Sequence, residues 1–188
     1  FYTKEIAEVC MKKIFLPTIE AMNQEGRPFK GCLYFGLMLT PEGPRVVEYN
    51  CRFGDPETQV VLPLLKTDLL TIMRAVHDEK LSEVTIEWED KACACVILAS
   101  GGYPQKYHKG YEIDGLDDYG QVEGVTIYHA GTAWKDGKYY TNGGRVLGVS
   151  AVGDTLEQAL QLSYDKIKEI HFTDMHYRTD IGRKVVKQ

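Results

Sequence analysis

The chain predicts an α+β fold, and three observations carry that prediction. Apolar residues recur at helical spacing near both ends and once in the middle. Short runs of strand formers, closed by turn dipeptides, lie between them. After Glu87-Trp88-Glu89-Asp90-Lys91, where charge density rises, the pattern drops to a period of two. Helical and extended segments mixed in this order suit α+β architecture. The charged stretch is the predicted boundary, giving domains over residues 1–90 and 91–188.

The first helix is expected from about Thr3 to about Met22. Ile6, Cys10 and Ile14 share a face, with Val9 beside them. Pro17, which cannot donate a main-chain hydrogen bond, should kink or split it. Glu25-Gly26-Arg27-Pro28 signals a loop. Cys32 to Leu39 and Arg45 to Asn50 read as two strands joined by the turn Thr40-Pro41-Glu42-Gly43, a β-hairpin. Pro56 can open a helix reaching about Leu65, limited by Pro63. Asp68 is placed to cap a helix from Leu69 to about Asp78, whose apolar stripe is Leu69, Ile72, Met73 and Val76.

In the second half, Ala92 to Ala99 is predicted to be a buried strand, and Ser100-Gly101-Gly102-Tyr103-Pro104 an exposed loop. Gly124 to Ala130, Thr132 to Trp134 and Lys138 to Thr141 are short strands. Asp136-Gly137 signals a type I′ turn. Asn142-Gly143-Gly144 is a sharp turn into the strand Arg145 to Val152. Asp154 should open the last helix in capping-box spacing with Glu157, with Leu156, Leu160, Ser163, Ile167 and Ile170 facing inward. Arg183-Lys184 begins a short basic end expected to be solvated.

Composition narrows the function classes. The chain has 188 residues, 44% hydrophobic and 26% charged, enough to bury a core. A net charge of −5 and a pI near 5.6 argue against a dedicated nucleic-acid binder. No apolar run reaches the length of a membrane span. The five cysteines, Cys10, Cys32, Cys51, Cys93 and Cys95, are an odd, scattered set. They suit reduced thiols in a cytoplasmic protein better than a disulfide framework or a zinc site. The chain opens in helical register with no initiator methionine, so it is expected to be part of a longer protein.

The chemistry-bearing stretch is Glu48-Tyr49-Asn50-Cys51-Arg52-Phe53-Gly54-Asp55-Pro56-Glu57. Alternation along a strand points Glu48 and Asn50 to one face. A carboxylate and an amide carbonyl are hard oxygen donors suited to Mg²⁺. If the strand continues, Arg52 joins that face and adds a cation for a polyphosphate or acyl-phosphate. The same Glu-x-Asn spacing also describes an ordinary solvated strand face, and spacing does not decide between the two. Among the histidines, His77, His108, His171 and His176 have no partner at ligand or triad spacing, and His129 suits either a cleft or a satisfied core position.

The run from Glu48 to Gln59 resembles the signature of the glycinamide ribonucleotide synthetase family, ATP-grasp ligases of purine synthesis. Gly31-Cys32-Leu33-Tyr34-Phe35-Gly36-Leu37-Met38 resembles the strand that precedes it in that family. Ala99-Ser100-Gly101-Gly102-Tyr103-Pro104, His129-Ala130-Gly131-Thr132, Gly143-Gly144-Arg145-Val146-Leu147 and Tyr177-Arg178 with Asp180-Ile181-Gly182 follow in the family's order. The resemblance implies the C-terminal lobe of an ATP-grasp fold followed by a small sheet-plus-helix domain. It implies ligation of glycine to 5-phosphoribosylamine, with ATP as co-substrate, through an acyl-phosphate. Glu48 and Asn50 would hold Mg²⁺ or Mn²⁺, and Arg52 would contact phosphate. Gly54, Asp55 and Glu57 would shape the substrate site, and Gly144 with Arg145 would contact phosphoribosylamine. The alternative for Gly143 and Gly144 is a tight turn that needs positive φ. The resemblance also implies a missing N-terminal half that carries most ATP contacts, and hence a piece inactive by itself. Two rivals stand beside it: another purine-synthesis ATP-grasp ligase, and a non-catalytic binding module derived from the fold.

Overall fold

The computed structural model of the chain describes residues 2–182. The predicted basic end at Arg183-Lys184 lies outside the described residues. The chain separates into two compact units. One holds residues up to Gly54 together with Thr67–Glu87; the other holds Asp55–Lys66 together with the chain from Trp88 onward.

The first unit opens with helix α1, Lys4–Cys10, capped by the Thr3 hydroxyl, which accepts from the Ile6 N–H at 3.4 Å. Met11–Phe15 follow as a π-helical turn, and helix α2, Leu16–Gln24, continues the run. The helical run continues past Pro17, but the wider π-helical turn immediately before it divides the run into α1 and α2, and Pro17 sits in the first turn of α2, where its missing donor matters least. Strands β1, Tyr34–Thr40, and β2, Gly43–Asn50, form the expected antiparallel hairpin. Cys32 and Leu33 precede the strand rather than belonging to it. The turn is tied by Thr40 Oγ1, which donates to the Gly43 carbonyl at 2.9 Å.

A bulge interrupts the pairing. Gly36 faces Glu48, while its neighbour Leu37 faces Val46, so Val47 has no partner residue on β1. Phe15, Phe35 and Tyr49 pack ring to ring at 4.5 and 5.3 Å, joining helix to hairpin. Val46, Tyr49 and Cys51 line the same apolar cavity as Ile14 and Ala21. The bulge therefore lets Val46 and Tyr49 both face the helix, while Glu48 and Asn50 look the other way. Helix α4, Leu69–His77, completes the unit with the predicted cap: Asp68 Oδ1 accepts from the Thr71 N–H at 2.7 Å.

The second unit contains the larger core. Strands β3, Ala92–Ala99, β5, Thr126–His129, and β8, Arg145–Gly153, form an antiparallel sheet ordered β3-β8-β5. A second sheet, ordered β4-β7-β6, joins β4, Glu112–Ile113, β6, Thr132–Lys135, and β7, Lys138–Thr141. The pair β4 escapes a period argument because two residues make no period. Asp136 and Gly137, at φ +50° and +79°, make the left-handed turn their types favour. Helix α5, Leu156–Ile167, packs on β3 and β8. Ala94, Val96 and Leu98 turn one face of β3 inward, and Val96, Leu98, Val149, Ile167, Ile170 and Phe172 belong to the buried core.

Three local expectations are corrected here. The last helix is capped by Thr155, whose hydroxyl accepts from the Gln158 N–H at 3.2 Å. Gln158 Oε1 accepts from the Asp154 N–H at 3.0 Å, so the capping pair sits one residue later than Asp154 and Glu157. Ser100 is buried, not exposed: its N–H donates to the Gly144 carbonyl and its hydroxyl to the Gly143 carbonyl, both at 2.8 Å. The helix expected from Pro56 to Leu65 is a short α3, Thr58–Val61, followed by the 3₁₀ turn Leu62–Leu64. Pro63 supplies no N–H to continue it.

Candidate active site

Strand β2 positions the two candidate metal ligands. Asn50 Nδ2 donates to Glu48 Oε1 at 3.1 Å, so the two side chains share one face and touch. Room for Glu48 comes from Gly36 across the hairpin, where a Cβ would sit 2.7 Å from Glu48 Cγ. The signal for Gly36 was present in the sequence as an isolated glycine inside a strand, which marks a close approach. Among the described residues, no group of three or more His, Cys, Asp or Glu side chains is arranged to hold a metal ion. A cation here would have Glu48 and Asn50 as protein donors and would need further oxygens from its ligand or from water. That donor set suits a hard divalent ion bound alongside phosphates.

Arg52 differs from the extended-strand expectation. The strand ends at Asn50, and Arg52 lies in a bend where its Nη1 donates to the Phe53 carbonyl at 3.0 Å. It is exposed, and alternation no longer decides which way it points. Gly54 is buried.

The second unit holds the other candidates. Arg145 opens strand β8 and reaches the loop before α3. Its Nη1 donates to the Asp55 main-chain carbonyl at 3.0 Å, and its Nη2 lies 3.5 Å from Asp55 Oδ2. Asp55 Oδ1 also accepts from Gln59 Nε2 at 2.6 Å. Glu57 is exposed, and its main-chain carbonyl accepts from Val60 and Val61, both at 3.1 Å. Neither Gly143 nor Gly144 has positive φ. Glycine is required there by close approach instead. A Cβ on Gly143 would meet Gly131 Cα at 2.7 Å, and one on Gly144 would overlap the Tyr103 ring.

The thiols on β3 are not nucleophiles. Burial pushes the Cys95 thiol up to about 12, with Cys93 and Asp55 adding to the shift. Burial likewise raises Cys93, although its hydrogen-bonding contact with Ser150 Oγ, 3.3 Å away, acts against it. Both stay protonated at neutral pH, where a thiolate would be needed to attack. All five cysteines are unpaired with one another. His129 has both ring nitrogens engaged, Nδ1 with Thr132 Oγ1 at 3.0 Å and Nε2 with the Gly120 carbonyl at 2.8 Å, so it is a satisfied structural residue. Sequence reasoning missed Gln59 and Ser150. Ser150 Oγ donates to the Gln59 main-chain carbonyl at 2.7 Å across 91 positions of sequence, a contact that no local pattern reveals.

Comparison with known proteins agrees along the chain. Residues 1–58 match the phosphoribosylglycinamide synthetase ATP-grasp (A) domain, and residues 93–184 match the phosphoribosylglycinamide synthetase C domain. A phosphoribosylamine–glycine ligase of Caldanaerobacter subterraneus subsp. tengcongensis is 52% identical over 171 residues, covering 91% of this chain and 40% of the relative. The trifunctional purine biosynthetic protein adenosine-3 of Gallus gallus is 48% identical over 98% of this chain, which is 18% of its own length. The crystal structure of phosphoribosylamine–glycine ligase from Thermotoga maritima superposes with a TM-score of 0.79 at 36% identity, over 90% of this chain and 41% of that one. The biotin carboxylase subunit of pyruvate carboxylase, at 12% identity and a TM-score of 0.55, shares the fold. The chain thus spans about two fifths of the single-activity ligases it matches.

Proposed function

The chain belongs to the phosphoribosylglycinamide synthetase family, and on that premise we propose that it supplies part of an ATP-dependent ligase joining glycine to 5-phosphoribosylamine. The products are glycinamide ribonucleotide, ADP and phosphate. A glycine carboxylate oxygen attacks the γ-phosphorus of ATP and ADP leaves. The amine nitrogen of phosphoribosylamine then attacks the acyl carbon, and phosphate leaves. The observation that carries this reading is the contact between Glu48 and Asn50 on one face of β2.

In this reading Glu48 and Asn50 hold Mg²⁺ or Mn²⁺. The metal, when bound, neutralises phosphate charge. Turning the Asn50 amide by half a rotation presents its carbonyl oxygen where Nδ2 now meets Glu48. Arg52 exchanges its contact with the Phe53 carbonyl for a phosphate or the acyl-phosphate, a stronger, charge-assisted bond. Gly54, Asp55 and Glu57 shape the substrate site. Gly144 and Arg145 bind the phosphate of phosphoribosylamine, the guanidinium supplying a fixed fork. We assign residues 1–90 to the ATP-grasp domain and 91–188 to the C domain, a division supported by the family matches on either side of it. The remaining ATP contacts belong to an N-terminal half, and the protein works in the cytoplasm.

The test is glycine-dependent ADP release by the full-length protein and its Glu48→Gln variant. The variant is expected to lose at least about a hundredfold in turnover while its melting temperature stays within a few degrees, because Glu48 is exposed. Near-normal turnover with Mg²⁺ would remove Glu48 from the metal site. Glycine-dependent ADP release by residues 1–188 alone would overturn the need for an N-terminal half.

A further inference from the structure

Gln59 joins two sets of hydrogen bonds, and none of the roles above uses it. Its main-chain carbonyl accepts from Ser150 Oγ at 2.7 Å and from Cys93 Sγ at 3.7 Å. These bonds fasten α3 to strands β3 and β8 whatever side chain residue 59 carries. Its side chain does something else. Nε2 donates to Asp55 Oδ1 at 2.6 Å, and Asp55 faces Arg145 through both its carboxylate and its main-chain carbonyl.

The orientation of this amide is fixed by chemistry. An ionised carboxylate only accepts, so Nε2 must be the end that faces Asp55. Oε1 is thereby committed to the interior. Among the described residues it is the one buried side-chain polar atom with no hydrogen-bond partner. A leucine or methionine would bury the same space without an unpaired oxygen, so packing does not explain a glutamine here.

We propose that Gln59 is a positioning residue: it holds the Asp55 carboxylate against Arg145 and so aims the guanidinium at the phosphate of the sugar-phosphate substrate. This rests on the reading of Arg145 given above. Without the Gln59 bond, the exposed Asp55 side chain rotates into water and Arg145 loses its fixed direction. The effect falls on phosphate binding and not on the acyl transfer, because Gln59 touches neither reacting atom.

Gln59→Met separates the two roles, since it keeps the main-chain anchor and the volume but removes Nε2. The experiment uses the full-length protein as wild type, Gln59→Met, Asp55→Ala and the double variant. Titration calorimetry with ribose 5-phosphate is combined with glycine-dependent ADP release and thermal melts. Gln59→Met is expected to weaken ribose 5-phosphate binding about tenfold and to raise the KM of the sugar phosphate equally. Its kcat should stay within about twofold and its melting temperature within about two degrees. In the Asp55→Ala background the same substitution should change affinity by less than about twofold, because the residue it acts through is gone. Unchanged affinity in Gln59→Met overturns the inference. So does an equal loss in both backgrounds, or a joint fall in kcat and melting temperature. A wild type that neither binds ribose 5-phosphate nor releases ADP overturns the ligase reading itself, and the inference with it.

Discussion

At Asp68 a single carboxylate oxygen meets two donors. Oδ1 accepts from the Thr71 N–H at 2.7 Å and from the Thr71 hydroxyl at 3.0 Å. The main-chain bond comes first among the causes that hold this carboxyl below its ordinary value, the hydroxyl second. A folded pKa below the unfolded one contributes stability that is present above the unfolded value, about 3.9, and fades as pH falls through the folded value. Asp68→Asn keeps a capping oxygen and removes the titration. Urea midpoints taken from pH 6 down to pH 2 should therefore fall less steeply in Asp68→Asn than in wild type; parallel profiles would refute the assignment. This cap was legible because Asp before an apolar helical run is a local signal. The shared face of Glu48 and Asn50 was legible for the same kind of reason, two residues apart on one strand. The direction of Arg52 was not, since it depends on where the strand stops. Nor was Gln59, whose partner Ser150 is distant in sequence.

Elements were read best where their pattern was long. The core strand β3 has the bounds that alternation and apolar composition predict, Ala92–Ala99. Ends were read less well. Asp154 and Thr155 both qualify as caps by type, and which one bonds to the first turn depends on backbone angles. Thr155, at φ −132° and ψ 159°, has the extended geometry of a cap. Thr155→Ala should lower unfolding stability by about 1 kcal/mol, and Asp154→Ala by well under half of that. Equal losses in a chemical denaturation series would return the cap to Asp154. The π-helical turn at Met11–Phe15 was hidden for a different reason. A proline announces that a helix must adjust, but kinking, ending and widening all satisfy it, and the aromatic contacts from Phe15 to Phe35 and on to Tyr49 favour a continuous run.

On the scale of the molecule, the two units differ in how much they bury. Among the described residues, Cys10 and Ala75 are the buried apolar side chains of the first, whereas sixteen others lie in the second. The second should therefore be the more protected in hydrogen exchange, with β3 and β8 slowest. Phe172 is 1% exposed within that core. Phe172→Ala should cost the second unit about 3–5 kcal/mol and leave exchange in the β1–β2 hairpin unchanged; uniform loss across both would mean that they unfold as one. The hairpin depends on something that neither burial nor charge measures. Pleating gives every strand residue an odd or even parity, and Val47 reverses it midway along β2. Its own side chain is 65% exposed, so its identity matters little, and it acts as a count. Pair it in regular alternation instead, with Val46 held inward, and all that follows changes sides: the acidic and amide groups turn inward and Tyr49 turns out. The chemistry of this strand is thus set partly by one residue that its pairing skips.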